Sequence, residues 1–582
     1  MSKNIVICSD GTGNTTIKGR GTNVFKLFEA IDLNGHKTRP KLTPQVALYD
    51  DGVGTETFKP LKIFGGATGW GLSSNVKQLY KELVRIYDPG DQIFLFGFSR
   101  GAFTVRTLVG LIAACGILNF QRLPTTAALD AMVKKTYKVY RKSYRTELAK
   151  LFLGEPDTSA ITKFRSEHCH PCEIEISFIG VWDTVDAVGL PFHWSDFINT
   201  MIYRFKFRDR KLSKLVKHAC HALAIDDERH SFHPILWDEK EETSGRIEQV
   251  WFAGAHSNVG GGYPKQGLSL VALEWMMRKA ECTGGNGKGL RLLAADQALY
   301  YDHANVDDKL YDPRSGLGTF YRWKVRDIAE MSRMHHVKQS AVHLSVLERI
   351  AHGTDDYAPG NLPSGASVVF TPTDNPAEES AVQARAEKVQ EVLRSAHGSE
   401  ASLLSRVRHE IAMGLTSYYL YVSTFFFLLI AVSTPDGVQG FFDPWPVLKN
   451  MALLMYHIVT FQFSDVWDSL VLAMSPGEAG IVIVGFVLAG LLMIYADSRM
   501  STVFSQFWHR HHTQLRDALK EARRIARDSA IEKHARVAAN FTNHTKIQLA
   551  PTTERAVHGE HNNPGEIAIV VDASRITVPN QE

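Results

Sequence analysis

Two rhythms of apolar and polar positions alternate over the first 350 or so residues. Short apolar runs at Ile5–Cys8, Gln45–Tyr49, Gln92–Phe98, Ile174–Val181 and Ile247–Ala253 read as strands, and runs this short and continuous predict burial on both faces. Between them the spacing turns helical. Asn23–Ile31 is one such segment, and Ser74–Tyr87 is another, with Val76, Leu79, Leu83, Val84 and Tyr87 on one side and a stop at Pro89-Gly90-Asp91. Strands alternating with helices predict an α/β fold, an α/β-hydrolase-like, mostly parallel sheet with helices on both faces. Reactive groups in such folds collect beyond the carboxyl ends of the strands. Ser99, Asp183 and His256 each fall just past one of these ends.

The rhythm changes after residue 352. Pro359, Pro363, Pro372 and Pro376 interrupt residues 353–400, which read as a loop-rich connection followed by a charged helix over Ala377–Ser395. Two uncharged apolar runs follow, at about 413–432 and 479–496, each near the ~20 residues that cross a ~30 Å hydrocarbon core. Met451–Met474 is apolar but carries Asp465 and Asp468. A charge at the bilayer centre costs at least ~2.5 kcal/mol, so this helix is expected at an interface. Arg406 and Arg408 precede the first run, Arg499, Arg510 and Arg516 follow the second, and Lys449 is the only lysine or arginine between them. That asymmetry predicts a two-pass protein of the inner membrane, with both flanking regions on the cytoplasmic side. Gln514–Val537 reads as a basic amphipathic helix, either lying on anionic lipid or presenting an ordinary solvated face. Glu566–Val578 reads as one strand. The expected organisation is a catalytic domain over 1–352, a linker and charged helix over 353–400, a membrane region over 401–500, and a basic helical tail over 501–582.

Composition adds boundaries. The 582 residues are 44% hydrophobic and 22% charged, with a net charge of +3, so nothing global points to nucleic acid. Six cysteines in such a length do not make a disulfide framework. Met1 to Asp10 reads as a first strand and not as a signal peptide, which predicts synthesis in the cytoplasm with reduced thiols.

The chemistry centres on Gly97-Phe98-Ser99-Arg100-Gly101 between a strand and a helix. A serine on such a turn is lifted clear of the backbone, and the flanking glycines let strand and helix approach. A hydroxyl needs a base to become a nucleophile, and the base needs an acid that holds its tautomer. His256, between a strand end and a glycine-rich loop, is the expected base. Asp183 is the expected acid, giving the chain order Ser, Asp, His; Asp226 also lies between serine and histidine, and spacing does not choose between them. The oxyanion is expected to meet the backbone N–H of Arg100 and a donor from Asp10-Gly11-Thr12-Gly13-Asn14. That loop lacks the pattern of a nucleotide-binding loop. The Arg100 side chain is suited either to a lipid phosphate or to a plain salt bridge. His168-Cys169-His170-Pro171-Cys172 holds one Cys-x-x-Cys without a second pair, so no metal and no cofactor is expected.

These residues resemble a known family. Asp10-Gly11-Thr12, Asp51-Gly52-Val53-Gly54-Thr55, Gly97 to Ala102, Gly180 to Val185, Ala222 to Asp226 and Trp251 to His256 are similar to the motifs of the DUF2235 α/β-hydrolase family, over about residues 3–290 and more weakly to Pro363. That family includes type VI secretion lipase effectors with phospholipase A activity. The resemblance implies Ser99 as nucleophile, His256 as base and an aspartate as third member. Relatives usually carry an aspartate two residues after the histidine, where this chain has Asn258. The expectation is a membrane-anchored serine hydrolase acting on phospholipid or another acyl ester. The alternatives are an antibacterial lipase effector, with secretion or immunity partners, and a catalytically silent membrane scaffold.

Overall fold

The computed structural model describes residues 2–11, 21–51, 70–142, 159–185, 210–283, 289–315, 321, 323–373, 376–398, 400–433, 476–544 and 568–570; within these, the side chains of 70–71, 376–378, 426–433, 476–483, 521–544 and 568–570 are not described. The strands are β1 (Asn4–Ser9), β2 (Gln45–Asp50), β3 (Gln92–Phe98), β4 (Ile176–Trp182), β5 (Val216–Ala224), β6 (Ile247–Phe252), β7 (Ala341–His343), β8 (Ser367–Val369) and β9 (Ala568–Val570). They form one sheet in the order β8-β7-β6-β5-β4-β3-β1-β2-β9. Every described pairing is parallel except that of β9, which runs antiparallel along β2.

Alternation along the strands sorts the core onto two faces. Ile5, Ile7, Ile93, Leu95, Ile179 and Val181 point one way. There they meet Leu79 and Leu83 of α2 (Trp70–Ile86) and Val105, Leu108 and Ile112 of α3 (Arg100–Cys115). Val6, Cys8, Phe94, Phe96, Phe178 and Trp182 point the other way, against α1 (Asn23–Glu29) and, past the short α4 (His256–Gly260), against Leu273 and Met276 of α5 (Gly267–Cys282). The helices thus cover both faces, as the strand–helix alternation predicts.

The chain goes from β1 outward to β2 and then returns to place β3 on the other side of β1. That reversal opens a crevice at the carboxyl edge between β1 and β3, the usual ligand position in such sheets. Ser99 follows β3 there. The ladder continues past the strands, with Ser99 N–H donating to Trp182 O (3.0 Å) and Asp183 N–H to Ala222 O (2.8 Å). The two residues are therefore held in register by the sheet itself.

Both glycines around Ser99 are dictated by contact. A Cβ on Gly101 would lie 2.1 Å from Ser9 O, and one on Gly97 would lie 2.7 Å from the Ala102 backbone. Strand β1 and helix α3 cross at a distance that leaves no room for a side chain.

The sheet does not end where residues 353–400 begin. Strand β8 lies within that stretch, as the outermost partner of β7. It joins a further core with α6 (Leu344–His352) and α7 (Pro376–His397), in which Trp251, Val342, Leu347, Val389 and Leu393 pack together. After α8 (Arg408–Ser433), the long α9 (Pro476–His544) adds Phe507, Trp508, Leu515 and Leu519 to the same core. The Trp508 indole donates to Pro359 O at 2.8 Å.

Among the described residues one helix, not two, is long and apolar enough to cross a membrane; it is the Val484–Lys520 part of α9. Val484, Val487, Leu488, Leu491, Ile494 and Tyr495 there are exposed, Ile494 to 67%. The first expected span forms most of α8, which lies along α9, with Tyr421 stacked on Phe486 at 4.2 Å. Its described part carries Thr416, Ser417, Tyr418, Tyr419 and Tyr421, whose polar groups lower its mean hydropathy. The expected interfacial helix Met451–Met474 lies outside the described residues.

Replacing Gly101 with alanine is expected to force β1 and α3 apart, at a cost of about 1–3 kcal/mol or more. The check is the thermal midpoint of Gly101→Ala, expected several degrees below wild type; an unchanged midpoint would show that the crossing has slack.

Candidate active site

The turn after β3 holds Ser99 in an unusual backbone conformation and leaves it only 8% exposed. Ser99 sits at φ 57° and ψ −121°, an unfavourable region for a residue with a Cβ, and its side chain does not cap the helix it precedes. It stands at the positive end of α3, where the helix dipole favours a developing negative charge. Arg100, directly after it, is the first residue of that helix.

His256 opens α4, just past β6. Its Nδ1 is 2.6 Å from Asp183 Oδ2, so the carboxylate fixes the tautomer that leaves Nε2 able to take a proton. The imidazole lies against the ring of Phe98, with centroids 4.6 Å apart, and meets Phe232 edge-on at 5.1 Å. Phe98 is the residue immediately before Ser99, so this packing sets His256 against the turn that carries Ser99. Gly260 makes it feasible, since a Cβ there would fall 2.0 Å from the Phe98 ring. His256 Nε2 is buried and has no hydrogen-bond partner among the described residues.

Asp183 accepts four hydrogen bonds. Oδ1 takes Ala224 N–H (3.0 Å) and Arg326 Nη1 (2.9 Å), while Oδ2 takes His256 Nδ1 and Arg326 Nη2 (3.0 Å). Burial works to raise its carboxyl, but the Arg326 charge and the bond from His256 outweigh it and hold the group well below the usual carboxylate range. His221, buried behind it, accepts from Thr184 N–H at 3.1 Å. Burial, then the Arg106 charge, pushes that imidazole down to about 3, so it is neutral and packs.

Asp226 does not reach the histidine partner position. Its Oδ2 accepts from Gly254 N–H (2.6 Å) and Tyr357 OH (2.8 Å), and burial pushes its carboxyl up to about 6. It clamps the turn that carries His256. Its neighbour Asp227 accepts from Arg229 Nη2 (2.6 Å) and from His256 N–H (3.2 Å). The Arg229 guanidinium lies 3.5 Å from the centroid of the Phe232 ring.

Asp10, at the end of β1, is turned inward. It accepts from Gly11 N–H (2.6 Å), Thr22 Oγ1 (2.5 Å) and Tyr49 OH (2.6 Å), and burial pushes it up to about 6. Gly11 N–H must therefore leave Asp10 before it can serve an oxyanion, and Thr12 lies outside the described residues. Asn258 has a structural task. Its amide donates to Lys309 O (3.1 Å) and accepts from Tyr311 N–H (3.2 Å). An ionised aspartate cannot make the first of these bonds. Cys169 and Cys172 go to separate partners, the Cys115 carbonyl and the Tyr87 hydroxyl.

Residues 3–279 match the family described as T6SS, Phospholipase effector Tle1-like, catalytic domain, and this part of the chain belongs to that family. An uncharacterized protein of Saccharomyces cerevisiae is 26% identical over 254 residues, which are 40% of this chain and 33% of that protein. The chain thus spans about a third of the length of that curated relative. The crystal structure of an uncharacterized protein from Pseudomonas aeruginosa is similar over 68% of this chain and 59% of its own, with 19% identity and a TM-score of 0.31, too low to establish a shared fold.

Motif reading brought Ser99, Asp183 and His256 together but missed Arg326, Asp227, Arg229 and Phe232. None sits in a glycine-marked turn, and Arg326 lies beyond the matched region.

Asp183→Asn is expected to cost up to ~10⁴-fold in kcat, the scale of losing the correct tautomer. Asp226→Asn keeps an acceptor for both of its donors and is expected to cost at most about tenfold. The two also differ in stability. The carboxyl of Asp226 is raised on folding, so it destabilises the wild type as pH climbs from its unfolded value, near 4, through about 6. Thermal melts of Asp226→Asn are expected to lose that decline; a steeper decline would refute the assignment.

Proposed function

We propose that this protein is a membrane-attached serine hydrolase that cleaves carboxylic esters, with phospholipid acyl esters as the foremost substrate. The observation that carries the reading is the 2.6 Å contact between His256 Nδ1 and Asp183 Oδ2, made by an imidazole packed on the residue before Ser99. In this mechanism Ser99 Oγ attacks the ester carbonyl carbon as its proton passes to His256 Nε2. Asp183 stabilises the imidazolium that forms. The carbonyl oxygen becomes an oxyanion at the amino end of α3, next to Arg100 N–H, with a second donor drawn from the Gly11–Thr12 loop. The tetrahedral intermediate collapses, the alcohol leaves with the proton from His256, and water repeats the cycle to free the acid and restore Ser99.

A lipid substrate is favoured by the exposed apolar residues of α9, which suit hydrocarbon and not water. Attachment through the Val484–Lys520 part of α9, the one described helix long and apolar enough to cross a membrane, would set the site beside lipid. The family description supports a second reading on the same chemistry, an effector hydrolase whose own cell needs an immunity partner.

A fluorophosphonate probe tests the proposal, on wild type, Ser99→Ala and His256→Ala in detergent and in phospholipid vesicles. The expected result is labelling of wild type alone, followed by release of fatty acid from the vesicles. Folded wild type that labels in neither medium would replace this reading with the silent scaffold.

A further inference from the structure

Arg326 is among the least accessible charged groups of the described residues, with its side chain fully buried, and no motif of the sequence points to it. It lies just before the helix Ile328–Met334, beyond the family-matched residues 3–279. Its two terminal nitrogens each make two bonds. Nη1 donates to Asp183 Oδ1 and to Ala224 O, and Nη2 donates to Asp183 Oδ2 and to Phe232 O. Its own carbonyl is held by Asn361 Nδ2 at 3.0 Å, and the same amide also grips Ile225 O. One guanidinium therefore joins the end of β5, the carboxylate that faces His256, and the main chain of the aromatic residue against the imidazole.

We infer that Arg326 is a positioning residue of the catalytic site, holding Asp183 ionised and in the plane that His256 requires, so that the working catalytic unit extends past the matched family region. This inference rests on the reading of Ser99, His256 and Asp183 as the catalytic groups. The fork geometry is what the task needs, since arginine binds both carboxylate oxygens at once and stays charged when buried. A carboxylate in a dry interior otherwise takes up a proton, and a protonated Asp183 cannot stabilise an imidazolium. The arginine also draws part of the carboxylate's field away from His256. The other charged or titratable groups near the pair include Asp226, Asp227 and Arg229 from the loop after β5, His233 beyond it, His221 on β5 and Arg106 on α3. Without the Arg326 charge and fork, Asp183 protonates at higher pH, and the acid limb of activity moves up.

The experiment measures fluorophosphonate labelling rates of the full chain from about pH 5 to pH 9, for wild type, Arg326→Gln and Arg326→Lys, with thermal melts alongside. Arg326→Gln is expected to label about tenfold or more slowly at neutral pH, the scale on which removing an orienting partner acts, and to show an acid limb shifted upward. Arg326→Lys keeps the charge without the fork; it is expected to keep the wild-type limb and lose rate. A folded Arg326→Gln with the wild-type profile overturns the inference. Should that variant not fold, Arg326→Lys decides: a wild-type rate overturns the inference, and a slower rate at an unchanged limb and melting point upholds it. Wild type that never labels overturns both this inference and the functional reading, a result distinct from the other two.

Discussion

The carboxylate of Asp183 must remain charged where no water reaches it, and much of the site is arranged around that requirement. An isolated ion in an apolar interior is costly enough that a carboxyl normally neutralises instead. Here four donors converge on two oxygens, two of them from one guanidinium. The parallel sheet makes this achievable. It brings Asp183 to the end of β4 and Ala224 N–H to the end of β5, and it continues its ladder into the turn that carries Ser99. The charge pair then serves two purposes that are hard to separate. It anchors the segment around Arg326 to the sheet, and it gives His256 one fixed partner. Removing half of such a pair strands the other charge, which is why the site and the stability of this region are linked.

The sequence was legible where a backbone requirement left a residue-type signature. Gly101 marks the crossing of β1 and α3, and Gly97 the close approach of β3 to α3, because no Cβ fits at either. The three strands ending at Ser99, Asp183 and His256 could be read from apolar runs because a sheet covered on both faces needs continuous apolar strands; β5, which ends before Asp226, could not, since Lys217, His218 and His221 interrupt its apolar run. What spacing left open was which aspartate faces the imidazole, since Asp183 and Asp226 both follow strand ends. Hydrogen-bond geometry separates them, and it depends on Gly254 and Tyr357, which lie far apart in sequence. Arg326 was illegible for the same reason. A lone arginine in a loop carries no period and no motif, and its importance comes from being enclosed by three elements. Strand β8 was hidden by its length of three residues among prolines and glycines.

The membrane region was legible in composition but less so in architecture. Hydropathy treats a helix as a uniform cylinder, whereas α9 changes character along its length. Its Val484–Tyr495 part exposes apolar side chains, and its Phe507–Leu519 part is buried in the core beside β7 and β8. The polar tyrosines and hydroxyls of α8 dilute a span that reads as uniformly apolar by charge alone.

The place where α9 changes character bears on how the site meets its substrate. Met500 and Tyr418 enclose Trp323, and a Cβ on Gly414 would lie 3.0 Å from the same indole. The Trp323 nitrogen donates to Glu228 Oε2 at 2.8 Å, and Arg314 joins that carboxylate at 3.1 Å. Glu228 follows Asp227 directly, and Asp227 accepts the His256 N–H. Trp323 thus links the part of α9 just past the exposed apolar segment to the loop that supports His256. A tether that close and that buried sets the catalytic edge in a fixed relation to whatever surrounds the apolar segment. On the proposed reading that surrounding is lipid, and the ester is presented by the same surface that anchors the enzyme. Proximity of this kind raises the effective concentration of substrate without any new contact to it. A soluble ester would gain nothing from the arrangement, which is the physical reason to place a bilayer lipid ahead of it.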